Sequence, residues 1–189
     1  MKNIPLKSYL VAIILMASLN AHSQDTNTDF HTITIGVPEV AIVDIEPMAS
    51  KNIVLGFTAP LEAGLPIIAD AANNSLWLNY SSIKSETDAT RTVSVRLSAV
   101  VPGIDIQLTA AGATGSGGGS LGTPSAQLTL TAADQTVISG IGSAYTGDGV
   151  SNGHNLSYVI APSASEGGYA DLEAAAATVA TVTYTISDN

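Results

Sequence analysis

Hydrophobic and polar residues alternate with a period of two along most of this chain. In 92–98 (TVSVRLS), Val93, Val95 and Leu97 share one face, and polar residues occupy the other. This period places successive side chains on opposite faces of a β-strand. Similar runs predict about ten short strands, at 32–37, 40–45, 52–57, 75–80, 92–98, 104–109, 127–131, 135–139, 155–160 and 180–189.

The segments between these runs are rich in Pro, Gly, Asn and Asp, which favour turns. Helical patterns do not alternate with the strands, so a parallel α/β sheet is not expected. The pattern predicts an all-β fold, an antiparallel β-sandwich of the Ig-like or jelly-roll-like kind. Only 171–177 (DLEAAAA) favours helix, for one or two turns before the last strand.

The first 23 residues have the three parts of a secretory signal peptide. Lys2 and Lys7 flank a polar start, an apolar run fills 9–19, and Ala21 and Ser23 provide small residues before a cleavage point at Gln24. The apolar run is shorter than the roughly 20 residues that a membrane-spanning helix needs. We therefore expect an exported protein, extracellular or at the cell surface with the periplasm as an alternative, and one domain over 24–189.

The charge balance excludes some classes of partner. Removing 1–23 leaves four basic residues against sixteen acidic ones, a formal charge of −12. Nucleic acids and anionic membranes bind clustered Lys and Arg, so neither is an expected partner. The chain contains no cysteine, and its size is sufficient for a core without disulfides.

A glycine-rich stretch, 114–122 (TGSGGGSLG), matches the spacing G-x-G-x-x-G of dinucleotide-binding loops. That motif binds phosphate only where a helix follows, and here Pro124 and a strand pattern follow instead. We interpret the stretch as a mobile loop between two strands, with no role in phosphate binding.

A second stretch, 142–158 (GSAYTGDGVSNGHNLSY), is the candidate binding loop. Its glycines and Asx residues are typical of a long loop that bonds to its own backbone. Long loops in compact domains are often functional, so we also consider contact with a ligand or partner. A third alternative is calcium, with Asp148 and Asn152 as oxygen ligands, although the spacing fits no EF-hand. The candidate binding residues are Tyr145, Asp148, Asn152, His154 and Asn155.

No residue set specifies a reaction. His31 and His154 are the only histidines after residue 23, no G-x-S-x-G elbow is present, and no carboxylate pair is marked out. Trp77 and Tyr80 lie close enough in sequence to form a sugar-stacking pair, but the alternation favours a structural role for Trp77 at the edge or core of the sandwich. We therefore expect a protein that is not an enzyme and has no cofactor apart from the calcium alternative.

The chain ends in TVTYTISDN, in which Val182, Tyr184 and Ile186 alternate with threonines. This ending resembles the C-terminal Thr-rich strand of archaic chaperone–usher pilins and the terminal motif of WxL cell-surface domains, which has Trp at the place of Tyr184. Together with the signal peptide and the acidic β-rich body, it is similar to exported bacterial Ig-like surface proteins. The resemblance implies adhesion or assembly at the surface.

The terminal strand leaves two alternatives open. In the first, which we favour, it pairs within a self-contained sandwich to which 32–37 also contributes a strand. In the second, the domain borrows a strand from a neighbouring copy, and Ile33, Ile35 and Val37 form the donor strand, with Pro38 as a hinge.

The sequence thus predicts an exported surface protein with a structural or adhesive role, including that of a pilin-like assembly subunit. Its expected partners are proteins or copies of itself. The alternative is a secreted β-sandwich module that binds glycan or calcium.

Overall fold

The computed structural model describes residues 27–165, 167–175 and 178–189, and the predicted signal peptide lies outside them. Within this part the regular structure is almost entirely β, with two short 3-10 turns at Met48–Ser50 and Gly168–Asp171. The strands are β1 (Val40–Glu46), β2 (Phe57–Thr58), β3 (Ile68–Ala69), β4 (Asn73–Ile83), β5 (Arg91–Leu97), β6 (Ile104–Ala110), β7 (Gly118–Pro124), β8 (Leu128–Thr129), β9 (Gln135–Tyr145), β10 (His154–Pro162) and β11 (Val182–Asp188). The predicted all-β class is confirmed.

Nine of these strands form one antiparallel sheet that folds into a sandwich. Its order is β11-β5-β9-β4-β10-β6-β8, with β1 added to β4 and β7 added to β9, while β2 and β3 form a separate pair. The two longest strands, β4 and β9, each pair with three neighbours along different parts of their length. They therefore carry the chain from one layer to the other, as strands that switch sheets do in sandwiches.

The core lies between the layers and follows the predicted alternation. In β5, Val93, Val95 and Leu97 are at most 2% exposed. The apolar residues of β4 and β10 meet them from the other layer. Burying each such side chain contributes about 1.5–3 kcal/mol. The other large buried residues of this core cluster are Leu76, Leu78, Tyr80, Leu108, Leu130, Ile138, Ile141, Leu156 and Tyr158.

Two predicted strands are absent or nearly absent in the structure, and a third, at 127–131, is reduced to Leu128–Thr129. Residues 32–37 have no regular secondary structure, so the interpretation that they form a strand of this sheet is wrong. All eleven strands lie in the unit Val37–Asn189, and the described residues 27–36 belong to a separate unit. In 52–57 only Phe57 is in a strand, although Ile53 and Leu55 pack on the core. In 52–57 the alternation correctly predicted which side chains face the core, but most of the segment does not form a strand.

The glycine-rich stretch is also different from its prediction. Its second half is strand β7, which pairs with β9, and is not a loop. A Cβ atom at Gly119 would collide with the carbonyl oxygen of Ser143, and φ at Gly119 is +85°. Glycine is needed here because the two backbones approach too closely for any side chain.

The helix predicted at 171–177 is absent from the residues that the structure describes. The 3-10 turn ends at Asp171, and 172–175 have no regular structure, while 176–177 lie outside the described part. The turn begins at Gly168, before the alanine run, because Gly167 and Gly168 both have positive φ and bend the chain there.

Candidate functional site

The terminal strand β11 forms one edge of the sheet. It pairs with β5 from Val182, opposite Leu97, to Asp188, opposite Arg91. Val182, Tyr184 and Ile186 pack against the core but are only half-buried. The three residues predicted to face the core therefore do so, on a strand that pairs on one side only within the described part of the chain.

Among the described residues, no strand pairs with the outer side of β11. The carbonyl of Thr181 accepts from Ser98 N–H at 2.8 Å, and Asn189 N–H donates to the Thr90 carbonyl at 3.1 Å. Odd-numbered residues thus bond to β5. Because peptide groups alternate in direction along an antiparallel strand, those of Val182, Tyr184 and Ile186 point to the open edge.

A second open edge lies close to the first. β1 pairs with β4 alone among the described strands, and its Val43 and Ile45 pack against the core. Residues of β1 approach residues of β11 within 8 Å between Cα atoms, but the two strands share no ladder. No ladder between described strands therefore closes the sandwich along this side.

A buried arginine connects the ends of these two edges. Arg91 is 1% exposed, and its Nε donates to Asp188 Oδ1 at 2.5 Å. Its other nitrogens donate to the Glu39 carboxylate and to the carbonyls of Val40 and Ile83. The hydrogen bond to Asp188 is the main reason that the pKa of Arg91 is raised. Arg91 thus ties the start of β1 to the end of β11.

The carboxylates around Arg91 offer the only grouping of three potential metal-ligand side chains among the described residues. Oxygens of Glu39, Asp88 and Asp188 lie within 4.8 Å of one another. The guanidinium of Arg91 already binds two of them. Since that cation offsets the carboxylate charge, we interpret the cluster as a structural ion-pair network.

A tyrosine pair connects β11 to the opposite layer. The hydroxyls of Tyr158, on β10, and Tyr184 are 2.6 Å apart. Burial raises the pKa of Tyr158 to about 12 and raises that of Tyr184 well above its usual value. Both rings are therefore neutral across the physiological range, and one hydroxyl donates to the other.

The segment before β1 leaves the predicted donor residues exposed. The exposed fractions are 74% for Ile33, 80% for Ile35 and 70% for Val37. No hydrogen-bond ladder is assigned to 32–37 in the described part of the chain. The alternating apolar pattern of 32–37 is thus not part of a strand in the described structure.

The five predicted binding-loop residues separate into two groups. Asn152, Asn155 and His154 make hydrogen bonds within the fold. Asn152 Oδ1 accepts from Ser116 N–H, and Asn152 Nδ2 donates to the Asp148 carbonyl. Asn155 Nδ2 donates to the carbonyls of Asn74 and Leu76 on β4. The side-chain oxygen of Asn152, one of the two weak calcium candidates, is therefore engaged in loop architecture.

The third of these residues, His154, is completely buried. Its Nδ1 lies 2.8 Å from the Ala111 carbonyl oxygen, and its Nε2 lies 3.1 Å from the Tyr80 hydroxyl. The imidazole ring also stacks on the Tyr80 ring. Burial lowers the pKa of His154, and hydrogen bonding to backbone opposes that effect. His154 is therefore a neutral residue of the core. Its burial in β10 could not be predicted from the glycine-rich sequence around it.

The remaining two, Tyr145 and Asp148, line an open depression of about 350 Å³. Sequence reasoning missed the residues opposite them, on β1 and β4, because only the sheet register brings those strands to the loop. The full lining is Ile42, Asp44, Asn79, Tyr80, Ser81, Tyr145, Gly147 and Asp148. Trp77, in contrast, lies half-buried between Glu46 and Asn155.

Comparison with protein-family models, with curated proteins and with solved structures gives no match. The part of the chain described by the structure contains no helix with the length and apolar character needed to span a bilayer.

Proposed function

We propose that this chain is an exported surface protein that assembles with copies of itself by strand donation. The observation that carries the proposal is a complementary pair of features. Residues 32–37 alternate like a strand and expose their apolar side chains. β11 offers an unpaired edge whose core-facing side chains are only half-covered.

The donated segment would gain both hydrogen bonds and apolar contacts. Peptide groups of Val182, Tyr184 and Ile186 point outward and can bond to an added strand, as in β-augmentation. Side chains of neighbouring strands that share a face lie about 4.5–5.5 Å apart, so Ile33, Ile35 and Val37 would cover the half-exposed row on β11. Fully burying three such side chains contributes about 5–9 kcal/mol before the loss of chain entropy.

The net negative charge of the chain is compatible with an extracellular location. A balance of −12 after residue 23 keeps a protein soluble and leaves neither nucleic acid nor anionic lipid as a natural partner. An acidic subunit also repels copies of itself, so its contacts must come from matched apolar and backbone groups, which the donated strand provides. The adhesive or structural role follows from polymerisation at the surface.

The first experiment compares the oligomeric state of three proteins that begin at Gln24. Light scattering during size exclusion, over a hundredfold range of concentration, should show polymers for the parent. The double variant Ile33→Asp/Ile35→Asp should be a folded monomer. Val54→Asp is the matched control, because Val54 is 91% exposed and lies outside every strand; it should polymerise like the parent.

A second experiment supplies the strand in trans. A peptide of residues 27–37 should bind the monomeric double variant and raise its melting temperature, whereas the same peptide with both aspartates should not. A parent that stays monomeric at every concentration would eliminate the proposal. Pairing of the segment with its own β11 would also contradict it, and would appear as a stable monomer that the double substitution destabilises.

Export is tested separately. Protein recovered from the medium or the envelope should begin at Gln24, which mass spectrometry of the intact chain can determine. Recovery of the chain in the cytoplasm with 1–23 attached would contradict the export part of the proposal and leave the assembly part standing.

A further inference from the structure

A row of residues crosses four strands on the outer face of the sheet. Ile42 on β1 lies opposite Ser81 on β4, which lies opposite Tyr145 on β9, which lies opposite Gly118 on β7. Adjacent strands are about 4.8 Å apart, so the apolar Ile42 and Tyr145 stand about 10 Å from each other with the small Ser81 between them. Ile42 and Tyr145 therefore form the two apolar walls of a groove, and the small Ser81 forms its floor.

The ring of Tyr145 is supported on one side and open on the other. A Cβ atom at Gly118 would lie 3.2–3.3 Å from the Cε1, Cζ and hydroxyl atoms of this ring. The ring thus rests over the bare backbone of Gly118, while the side chain remains 57% exposed. A rigid aromatic surface of this kind offers a large apolar contact at little cost in conformational entropy.

The polar groups beside this ring are hydrogen-bond acceptors. Asp44 lies opposite Asn79 at the next position of the register, and Asp148 comes from the loop. The Asp148 carboxylate has no hydrogen bond within the described residues, and Asp44 Oδ1 accepts only from the N–H of Ile45, its neighbour in sequence. None of the lining side chains is basic.

Asn79 provides an independent sign that a donor is missing. It is 5% exposed, its Nδ2 donates to the Asn152 carbonyl, and its Oδ1 is the one buried side-chain atom without a partner in the described part of the chain. An unpaired buried acceptor costs about 1–3 kcal/mol. This oxygen has almost no solvent-accessible surface, so a ligand donor can bond to it only if the Asn79 side chain turns toward the depression.

We propose that this depression binds a saccharide ring that is neutral or carries an amino group. The hydroxyls would donate to Asp44 and Asp148, and the less polar face of the ring would pack on Tyr145. A volume of about 350 Å³ is at the lower end of the range for small-molecule sites, which suits a single ring. An acidic sugar would meet two carboxylates and is disfavoured.

A metal ion fits the same residues less well. Calcium takes six to eight oxygens, and the lining offers two carboxylates, of which that of Asp44 already accepts from the N–H of Ile45. An ion would also leave the apolar walls at Ile42 and Tyr145 without a function. The saccharide uses the walls and the acceptors together.

The test is a titration of the ¹⁵N-labelled protein, in its Ile33→Asp/Ile35→Asp form if the parent polymerises. The probes are methyl glycosides of glucose, galactose, mannose and N-acetylglucosamine, then glucosamine, with sialyllactose as the acidic probe. At least one neutral or amino sugar should shift the amide signals of Ser81, Tyr145 and Asp148. Sialyllactose should shift them less at equal concentration.

Two variants and a control identify the site. Tyr145→Ala and Asp44→Asn should each weaken the binding at least tenfold. Tyr169→Ala should leave it unchanged, because Tyr169 is a comparably exposed tyrosine, 50% against 57%, that does not line the depression. Absence of shifts with every sugar would overturn the proposal, and so would equal loss in Tyr169→Ala. Shifts of the same amides by calcium chloride alone, with none from sugar, would replace it with a metal site.

Discussion

Tyr158 and Tyr184 face each other from different layers of the sandwich, with their hydroxyl oxygens 2.6 Å apart. The contact fixes the terminal strand β11 to β10, which is not its neighbour in the sheet. A buried hydroxyl that loses its partner costs about 1–3 kcal/mol, whereas removing both partners is nearly neutral. This asymmetry allows a direct test of the pair.

Each single substitution, Tyr158→Phe or Tyr184→Phe, should lower the free energy of unfolding by about 1–3 kcal/mol. The double variant should lose no more than one single variant does, because it leaves no hydroxyl unpaired. Urea unfolding of the four proteins gives the coupling energy. Additive losses would show that the two hydroxyls do not act as a pair.

Arg91 should be the charged residue to which stability is most sensitive. Arg91→Met removes the cation that Glu39 and Asp188 share. Because these carboxylates are 52% and 51% exposed, water can solvate them afterwards, so we expect a loss of about 1.5–3 kcal/mol, the value for a hydrogen bond to a charged group. Arg91→Lys should recover little, because a single ammonium cannot reach the carboxylates and the carbonyls of Val40 and Ile83 together. Arg96→Met is the control, since Arg96 is 53% exposed and its nearest carboxylate contact, with Asp134, is 3.8 Å long. Equal losses in both Met variants would contradict the role given to Arg91.

Much of the fold could be predicted from local pattern. The period of two located the β5 core face at Val93, Val95 and Leu97, and the inward face of β11 at Val182, Tyr184 and Ile186, because alternation depends only on neighbouring residues. Residues 32–37 have the same pattern and no strand. Alternation predicts which side chains share an apolar face, but it does not predict whether another strand of the same chain pairs with that segment.

The candidate sites were less accessible to sequence reasoning because they depend on distant residues. Tyr145 and Asp148 were in the predicted loop, but Asp44 and Asn79 join them only through the pairing of β1 with β4. His154 sits in the same glycine-rich stretch, and its burial follows from the register of β10 against β4, where it lies opposite Leu78.

Gly119 tests the close pairing of β7 with β9. Gly119→Ala should lower the free energy of unfolding by more than the roughly 1–2 kcal/mol of a positive φ alone, because its Cβ would also strike the Ser143 carbonyl. Gly112→Ala is the matched control: Gly112 has ordinary φ, and nothing lies within 4 Å of its Cβ position. That variant should be neutral or slightly more stable, since alanine reduces the entropy of the unfolded chain. Thermal unfolding of both proteins measures the difference.

His154 should make the domain sensitive to mild acid. Burial lowers the pKa of His154 in the folded state, whereas the unfolded chain has the usual value near 6.5. As the pH falls below that value, the unfolded state binds a proton that the folded state does not. The free energy of unfolding therefore decreases with falling pH, down to the lowered pKa of the folded state.

The measurement compares the parent with His154→Gln, whose amide can still bond to the Tyr80 hydroxyl or the Ala111 carbonyl. Gln does not titrate, so between pH 7 and pH 5 the variant should lose less stability than the parent, even if it is less stable at pH 7. Carboxylates contribute equally to both proteins and cancel in the difference. Parallel pH profiles for the two proteins would mean that His154 takes up its proton in the folded state as readily as in the unfolded chain.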